Sequence, residues 1–296
     1  MKLVSFDPYR TLNLPGVRHV KPEQYLSALE LIREADWVLF PEYWQLNTLI
    51  YGLRKRIFPS PASYHIGIDK IAQTRAFTAA LPAHVPETLI LGNTPENQKL
   101  AWDCMWLPFV AKLPRSSEGQ GVFLIESEFD WQRYVRMTDV LYVQEYLPID
   151  RDLRVVIVGD EVVTAYWRKG QSGFHNNVAR GGEIIRTDIP EAGVELARTL
   201  ARTFGIDHAG FDIAMVGNHP YVIEMNRLFG NTGIEQASRV LSDAMLRALR
   251  ASDSCSGTGH PVPSEVPASA APAVLNGHTD PPGLQHPLPT AVHTPR

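Results

Sequence analysis

The chain has 296 residues, an apolar share of 44% and a formal net charge of −4, a length that allows two or three compact units. The near-neutral, slightly acidic balance argues against a general nucleic-acid or membrane-surface binder. Cys104 and Cys255 form no CxxC pair, so neither a disulfide framework nor a zinc site is indicated. No apolar run approaches a membrane span, and "MKLVSFDPYR" meets an acid too early for a signal peptide. The expected setting is the reducing cytoplasm.

In chain order, "MKLVSF" reads as a strand, "PEQYLSALELIREA" as a helix, "DWVLFP" as a strand and "EYWQLNTLIYGLRKR" as a helix, followed by a short strand near Ile57. Arg54, Lys55 and Arg56 end that second helix, where cations complement the dipole. Residues 1–62 therefore form a short α/β unit. "GIDKIAQTRAFTAAL" is a helix with Asp69 as its N-cap. Strands near "TLIL", "PFVAKL" and "GVFLIE" complete a second unit, residues 63–141. "YVQEYL" opens a third, residues 142–250. There "DLRVVIVGDEVVTAYWR" is a hairpin turning at Gly159-Asp160, "IPEAGVELARTLARTFG" a helix, and "AGFDIAMVGNHPYVIEMN" a second hairpin. "GIEQASRVLSDAMLRALR" closes the folded part as a helix. Residues 251–296, rich in proline, alanine and serine, bury too little apolar surface to offset ordering entropy and read as a disordered tail.

Three segments carry chemistry. In the second hairpin, folding about Asn218 sets Asp212 opposite Glu224, with Asn226 on the same face because side chains alternate along a strand. Two adjacent carboxylates repel. Either a hard cation such as magnesium sits between them, or one acid is protonated, or the register separates them. Lys112 lies in an otherwise apolar strand just before the loop Arg115–Gly121. That loop is either a plain turn or one whose backbone N–H groups meet phosphate oxygens. It is no Walker loop, since no GKS or GKT follows. "YVQEYLP" offers amides for an adenine edge, or is an edge strand leaving a sheet. Asp152 and Arg154 share one strand face. Arg168, Lys169, His175, Asn176, Asn177 and Arg180 stand in or beside a polar loop that either is simply exposed or holds anionic oxygens.

Together these segments, from Asp69 to Arg239, resemble the ATP-grasp superfamily, and most closely its RimK-like branch of carboxylate–amine ligases. The resemblance rests on "DK" at 69–70, "VAKLPRSSEGQGV" at 110–122, "VQEYL" at 143–147, "DLRVVIVGDEVV" at 152–163, "FHNNVARGG" at 174–182, "GFDI" at 210–213 and "VIEMN" at 222–226. It implies an α/β fold of the α+β ATP-grasp type, in which two α+β subdomains sandwich ATP behind the short N-terminal unit. Lys70 and Lys112 would then meet ATP phosphates, and Ser116, Ser117, Glu118, Gly119, Gln120 and Gly121 would close over them. Gln144, Glu145, Tyr146 and Leu147 would line the adenine site, with Asp152 on the ribose side. Asp212, Glu224 and Asn226 would hold magnesium, with manganese as an alternative. Arg168, His175, Asn177 and Arg180 would line the reaction centre.

The implied activity joins a small-molecule or peptide carboxylate to an amine through an acyl phosphate, with neither nucleic acid nor membrane as partner. Three departures bear on the substrate: His175 stands where the branch usually has arginine, Arg227-Leu228-Phe229-Gly230-Asn231 stands where it commonly continues Ala-Ser-Pro-Gly, and the front unit is short for the family's preceding domain. Competing readings are an ATP-binding regulatory or scaffold protein without turnover, and phosphotransfer to a small molecule.

Overall fold

The computed structural model describes residues 1–114, 121–170 and 182–255. Ser116 to Gln120, His175, Asn177, Arg180 and the tail beyond 255 lie outside the described residues.

The short front strands LVS, WVL and RIF are mostly apolar and buried, which suits a sheet covered on both sides. β1 (Leu3–Ser5), α1 (Pro8–Thr11), β2 (Val17–His19), α2 (Leu29–Glu34), β3 (Trp37–Leu39), β4 (Arg56–Phe58) and α3 (Pro61–Ile66) build a parallel sheet of order β2-β1-β3-β4. Val4, Val38 and Ile57 face one apolar cluster, with Ile32, Leu46 and Leu49. Leu3, Trp37, Leu39 and Phe58 face another.

Two local expectations change here. The helix expected over 22–35 is continuous only from Leu29; Pro22–Gln24 is a separate 3-10 turn. The Ser27 hydroxyl donates to the Gln24 carbonyl, competing with helix bonding. The basic cluster serves other elements than the helix before it, which ends at Gly52. Lys55 Nζ donates to the Arg33 and Ala35 carbonyls, capping α2. Arg56 stacks 3.9 Å from the Trp37 ring and pairs with Asp253.

The next elements are α4 (Lys70–Ala80), β5 (Thr88–Gly92), α5 (Pro95–Cys104), β6 (Phe109–Lys112), β7 (Val122–Ile125), α6 (Glu128–Val135) and β8 (Val140–Glu145). Asp69 caps α4 as expected, accepting from Ala72 N at 2.8 Å. The sheet order β5-β8-β6-β7 is antiparallel throughout. β8 is thus a central strand of this sheet. A boundary at 142 would cut through it.

A third sheet is made by β9 (Arg151–Val158), β10 (Glu161–Lys169), β11 (Glu183–Ile185), β12 (His208–Val216) and β13 (His219–Asn226), ordered β11-β10-β9-β12-β13. α7 (Glu191–Phe204) and Phe77 of α4 cover the face bearing Leu153, Val155, Phe211 and Ile213. The opposite face bears Val156 and Val158 against the front unit and α8 (Ala237–Cys255). α8 runs five residues past the expected start of the tail, because Asp253 accepts from Trp37 Nε1 and pairs with Arg56. Among the described residues no helix is long and apolar enough to cross a membrane.

Helix α4 sets the spacing between the second and third sheets. Gln73 donates to the Met225 carbonyl and accepts from Met225 N, satisfying the outer edge of β13. Thr74, next along the helix, hydrogen-bonds the Tyr142 hydroxyl of β8 at 2.7 Å.

Candidate active site

The β12–β13 hairpin brings Asp212 opposite Glu224 and Gly210 opposite Asn226. The turn itself occupies Gly217 and Asn218, with Val216 paired to His219. That register alone would carry Asp212 past Glu224. A β-bulge at Ile223 inserts one residue and restores the pairing. Val222 and Met225 both stay in the core, while Glu224 and Asn226 share the face with Asp212.

Alternation along the neighbouring strands fills the same face. Asp152 and Arg154 come from β9, Tyr166 and Arg168 from β10. Arg154 Nε stands 2.6 Å from Asp212 Oδ1 and Arg168 Nη2 2.9 Å from it; Arg168 Nε also takes Asp152 Oδ1 at 2.6 Å. Gly210 permits this packing. A Cβ there would lie 2.6 Å from Arg154 Nη1 and 3.0 Å from Phe229 Cβ. Burial pushes the Asp212 carboxyl up, but Arg154 and Arg168 outweigh it and hold it below the usual range. Among the described residues Asp152 has one close guanidinium rather than two, and burial and the Asp212 charge leave it above that range.

The second sheet contributes from its uncovered face. Phe109, Ala111, Leu141 and Val143 enter the core under α5 and α6, so Lys112, Tyr142 and Gln144 project the other way. Lys112 Nζ donates to Gln144 Oε1 at 2.7 Å, and Gln144 Nε2 donates to Thr88 Oγ1 at 2.8 Å. Lys112 is only 4% exposed. Burial lowers its ammonium to about 8; Lys70 adds to the depression, while Glu224 and Asp212 oppose it. Lys70 Nζ lies 3.5 Å from Glu224 Oε1. Two lysines and the carboxylates of the third sheet therefore share one electrostatic site.

The structure brings together Lys70, Lys112, Gln144, Asp152, Arg168, Asp212, Glu224 and Asn226. Gln144 meets Lys112 through its side chain, and its backbone lies between two paired strands. The ladder ends at Glu145, whose N–H is bonded to the Glu87 carbonyl, and Tyr146 and Leu147 follow as the chain leaves the sheet. Asp152 lies on Arg168 within the charged cluster. Gly121 accepts at its carbonyl from Leu113 N, closing the base of the glycine loop.

Arg154 was given no role by sequence reasoning, although its spacing from Asp152 within a run of valines marks a second inward charge. Gln73 and Thr74 were also missed, and only the fold shows what they hold.

Asp212, Glu224 and Asn226 are hard oxygen donors suited to magnesium. Asp212 Oδ1 already carries the Arg154 and Arg168 guanidinium groups, so an ion bound there would share that oxygen with them. Among the described residues no group of three or more His, Cys, Asp or Glu is arranged to hold a metal. The fit rests on Asn226 as third donor.

Three sheets with a charged site between the second and third define an ATP-grasp fold. The structure matches a RimK domain ATP-grasp protein from Sphaerobacter thermophilus DSM 20745 with a TM-score of 0.65, at 16% identity, over 84% of this chain and 99% of that one. A model of the RimK-like ATP-grasp domain matches residues 69–249, and the chain belongs to that family. A probable alpha-L-glutamate ligase from Enterobacter sp. (strain 638) is 38% identical over 140 residues, 45% of this chain and 47% of its own length. A ribosomal protein bS6–L-glutamate ligase from Escherichia fergusonii is 36% identical over 148 residues, 47% of this chain and 49% of its own length. The chain spans about half the length of the curated relatives it matches.

Proposed function

We propose that this chain is an ATP-dependent carboxylate–amine ligase working through an acyl phosphate. The carrying observation is the meeting of Lys70 and buried Lys112 with Asp212, Glu224 and Asn226 across the gap between two sheets. Ammonium groups on one side and oxygen donors on the other suit a triphosphate and its divalent ions.

In this reading a substrate carboxylate oxygen attacks the γ-phosphorus of ATP and the bond to ADP breaks. The amine then attacks the acyl carbonyl, phosphate leaves, and the amine gives up a proton as the amide forms. Lys112 and Lys70 neutralise the phosphoryl oxygens, so their contribution is positioning and charge. Gln144 aims the Lys112 ammonium, and Thr88 fixes which end of the Gln144 amide faces it. Arg168, tied to Asp152 and Asp212, presents a pre-set cation for the developing oxyanion. Asp212, Glu224 and Asn226 would hold magnesium, or manganese in its place, which supplies charge neutralisation for the phosphates when bound. The cytoplasm supplies ATP and is the compartment we assign.

A coupled ADP-release screen over amino acids and short peptides, with mass spectrometry of products, tests this. ADP release that requires both an acid and an amine, and is lost in Glu224→Gln, supports the ligase. ATP binding without acceptor-dependent turnover would make the chain a nucleotide-binding regulatory protein, and a stable phosphorylated product a phosphotransferase.

A further inference from the structure

The strand that carries Glu224 and Asn226 ends on a histidine that the proposed chemistry leaves unused. β12 and β13 stay paired as far as Gly210 and Asn226. The next carbonyl along the chain, that of Arg227, meets the side chain of His208, whose Nδ1 lies 2.8 Å away. A carbonyl oxygen only accepts, so Nδ1 carries the proton and donates. That bond adds one rung to the ladder, with a side chain in place of a backbone N–H. Asn226 sits directly before it. The Asn226 amide nitrogen donates to Asp212 Oδ2 at 3.5 Å, so the oxygen is the end of that carboxamide left for an ion.

His208 is 2% exposed and lies in an aromatic box. Phe229 stacks on the imidazole at 4.7 Å and 23°. Phe40, just after β3, and Phe58, the last residue of β4, meet it edge-on at 5.2 and 5.6 Å. Asp207, the residue before it, accepts from Ser60 N at 2.7 Å and from Ser63 Oγ at 3.1 Å. The front unit therefore holds the start of β12, and the start of β12 holds the end of β13. Burial lowers the imidazole pKa to about 3; the Arg227 carbonyl opposes the fall, while the Arg10 and Arg227 charges add to it. The ring stays neutral and keeps one donor. A fourth apolar side chain would fill this box without burying a polar group. What the imidazole adds is the N–H aimed at the Arg227 carbonyl.

We propose that His208 is a positioning residue for the magnesium site, its Nδ1–H fixing the Arg227 carbonyl and so the direction in which Asn226 presents its oxygen. Partners that orient a metal ligand change the affinity for the ion when they are removed. The proposal rests on the ligase reading above and deepens it.

The test titrates the full chain with magnesium at a fixed concentration of a non-hydrolysable ATP analogue, reading analogue binding and, separately, the melting temperature. His208→Phe and His208→Leu keep the box filled and lose the donor. Both should raise the magnesium concentration for half-maximal binding on the order of 10-fold. His208→Asn keeps a donor at the same distance along the side chain, and Phe58→Leu loosens the box without touching the donor. These two should lower the melting temperature yet shift the magnesium requirement by less than about 3-fold. An unchanged requirement in both donor-less variants, or a requirement that follows the melting temperature across all four, overturns the positioning role and leaves His208 as packing. A wild type that binds no analogue, or binds it equally with and without magnesium, overturns the ligase reading instead. Hydrogen exchange over residues 225–229 then decides whether His208 fixes that segment: faster exchange in His208→Phe than in Phe58→Leu supports it, and equal exchange removes it.

Discussion

Replacing Lys112 with methionine should stabilise the folded chain electrostatically while removing its response to ATP. Lys112 is buried, and its ammonium falls from 10.5 to about 8, chiefly through loss of water. That difference of about 2.5 units corresponds to about 3 kcal/mol by which the charged lysine disfavours folding at neutral pH. Methionine fills a similar volume without charge, but it leaves Gln144 Oε1 without its donor, at a cost of about 1–3 kcal/mol. The net change at pH 7 is small, and the pH dependence isolates the charge. Below pH 8 folded and unfolded chains both hold the proton. Between about 8 and 10.5 the unfolded chain still holds a proton that the folded chain has released, so stability rises with pH. Urea unfolding of both proteins from pH 7 to 10.5 should show the wild type gaining about 3 kcal/mol on Lys112→Met, because other titrating groups cancel in the difference. Parallel stability curves, or a wild type that loses ground as pH rises, would refute the desolvated-lysine account.

Arg154→Met leaves buried Asp212 with Arg168 as its only close guanidinium among the described residues, and should cost about 3–5 kcal/mol. In the wild type the depressed Asp212 pKa contributes stability above the unfolded carboxyl range, lost as pH falls through the folded value. The gap between the two proteins in urea melts should therefore widen from pH 3 to pH 7, and a constant gap would count against the ion pair. Gln73→Ala leaves the Met225 N–H and carbonyl unpaired on the edge of β13, costing about 2–4 kcal/mol. Hydrogen exchange at the Met225 amide should accelerate, and unchanged protection would remove Gln73 from that role. Gly210→Ala drives a Cβ into Arg154 and should cost about 1–3 kcal/mol and weaken ATP binding measured by calorimetry. Gly92→Ala, with nothing within 4 Å, is the matched control and should leave ATP binding unchanged.

The pairing of Asp212 with Glu224 was legible from the sequence, but through a compensation the sequence hides. Symmetry about Asn218 gives the correct pair, although the actual turn is one residue tighter and the bulge at Ile223 supplies the difference. Isoleucine is an ordinary strand former and carries no bulge signature, so Ile223 looked like any strand residue. Lys112, Gln144 and Tyr142 could be assigned to one face by period-2 alternation alone. What Lys55 does could not, because its partners are carbonyls of a helix twenty residues earlier in the chain. The break in 22–35 and the extension of α8 to Cys255 depend likewise on single side-chain contacts, Ser27 to Gln24 and Asp253 to Trp37.

Like-charge repulsion between Asp212 and Glu224 suggested a metal from sequence, yet the folded chain already relieves it in another way. Asp212 is held ionised by Arg154 and Arg168, and Glu224 has Lys70 beside it. The two carboxylates are not equivalent as a result. Asp212 is clamped and buried, whereas Glu224 is 27% exposed at its side chain, with its ion pair to Lys70 at 3.5 Å. An incoming cation would exchange readily with a lysine ammonium at that distance, while the guanidinium pair keeps the Asp212 carboxylate aimed and deprotonated beforehand. In the proposed ligase Arg154 and Arg168 would hold the orientation of Asp212, and Lys70 would act as the counter-ion of Glu224. Lys70 freed from Glu224 would then be available to the phosphate of the same ligand.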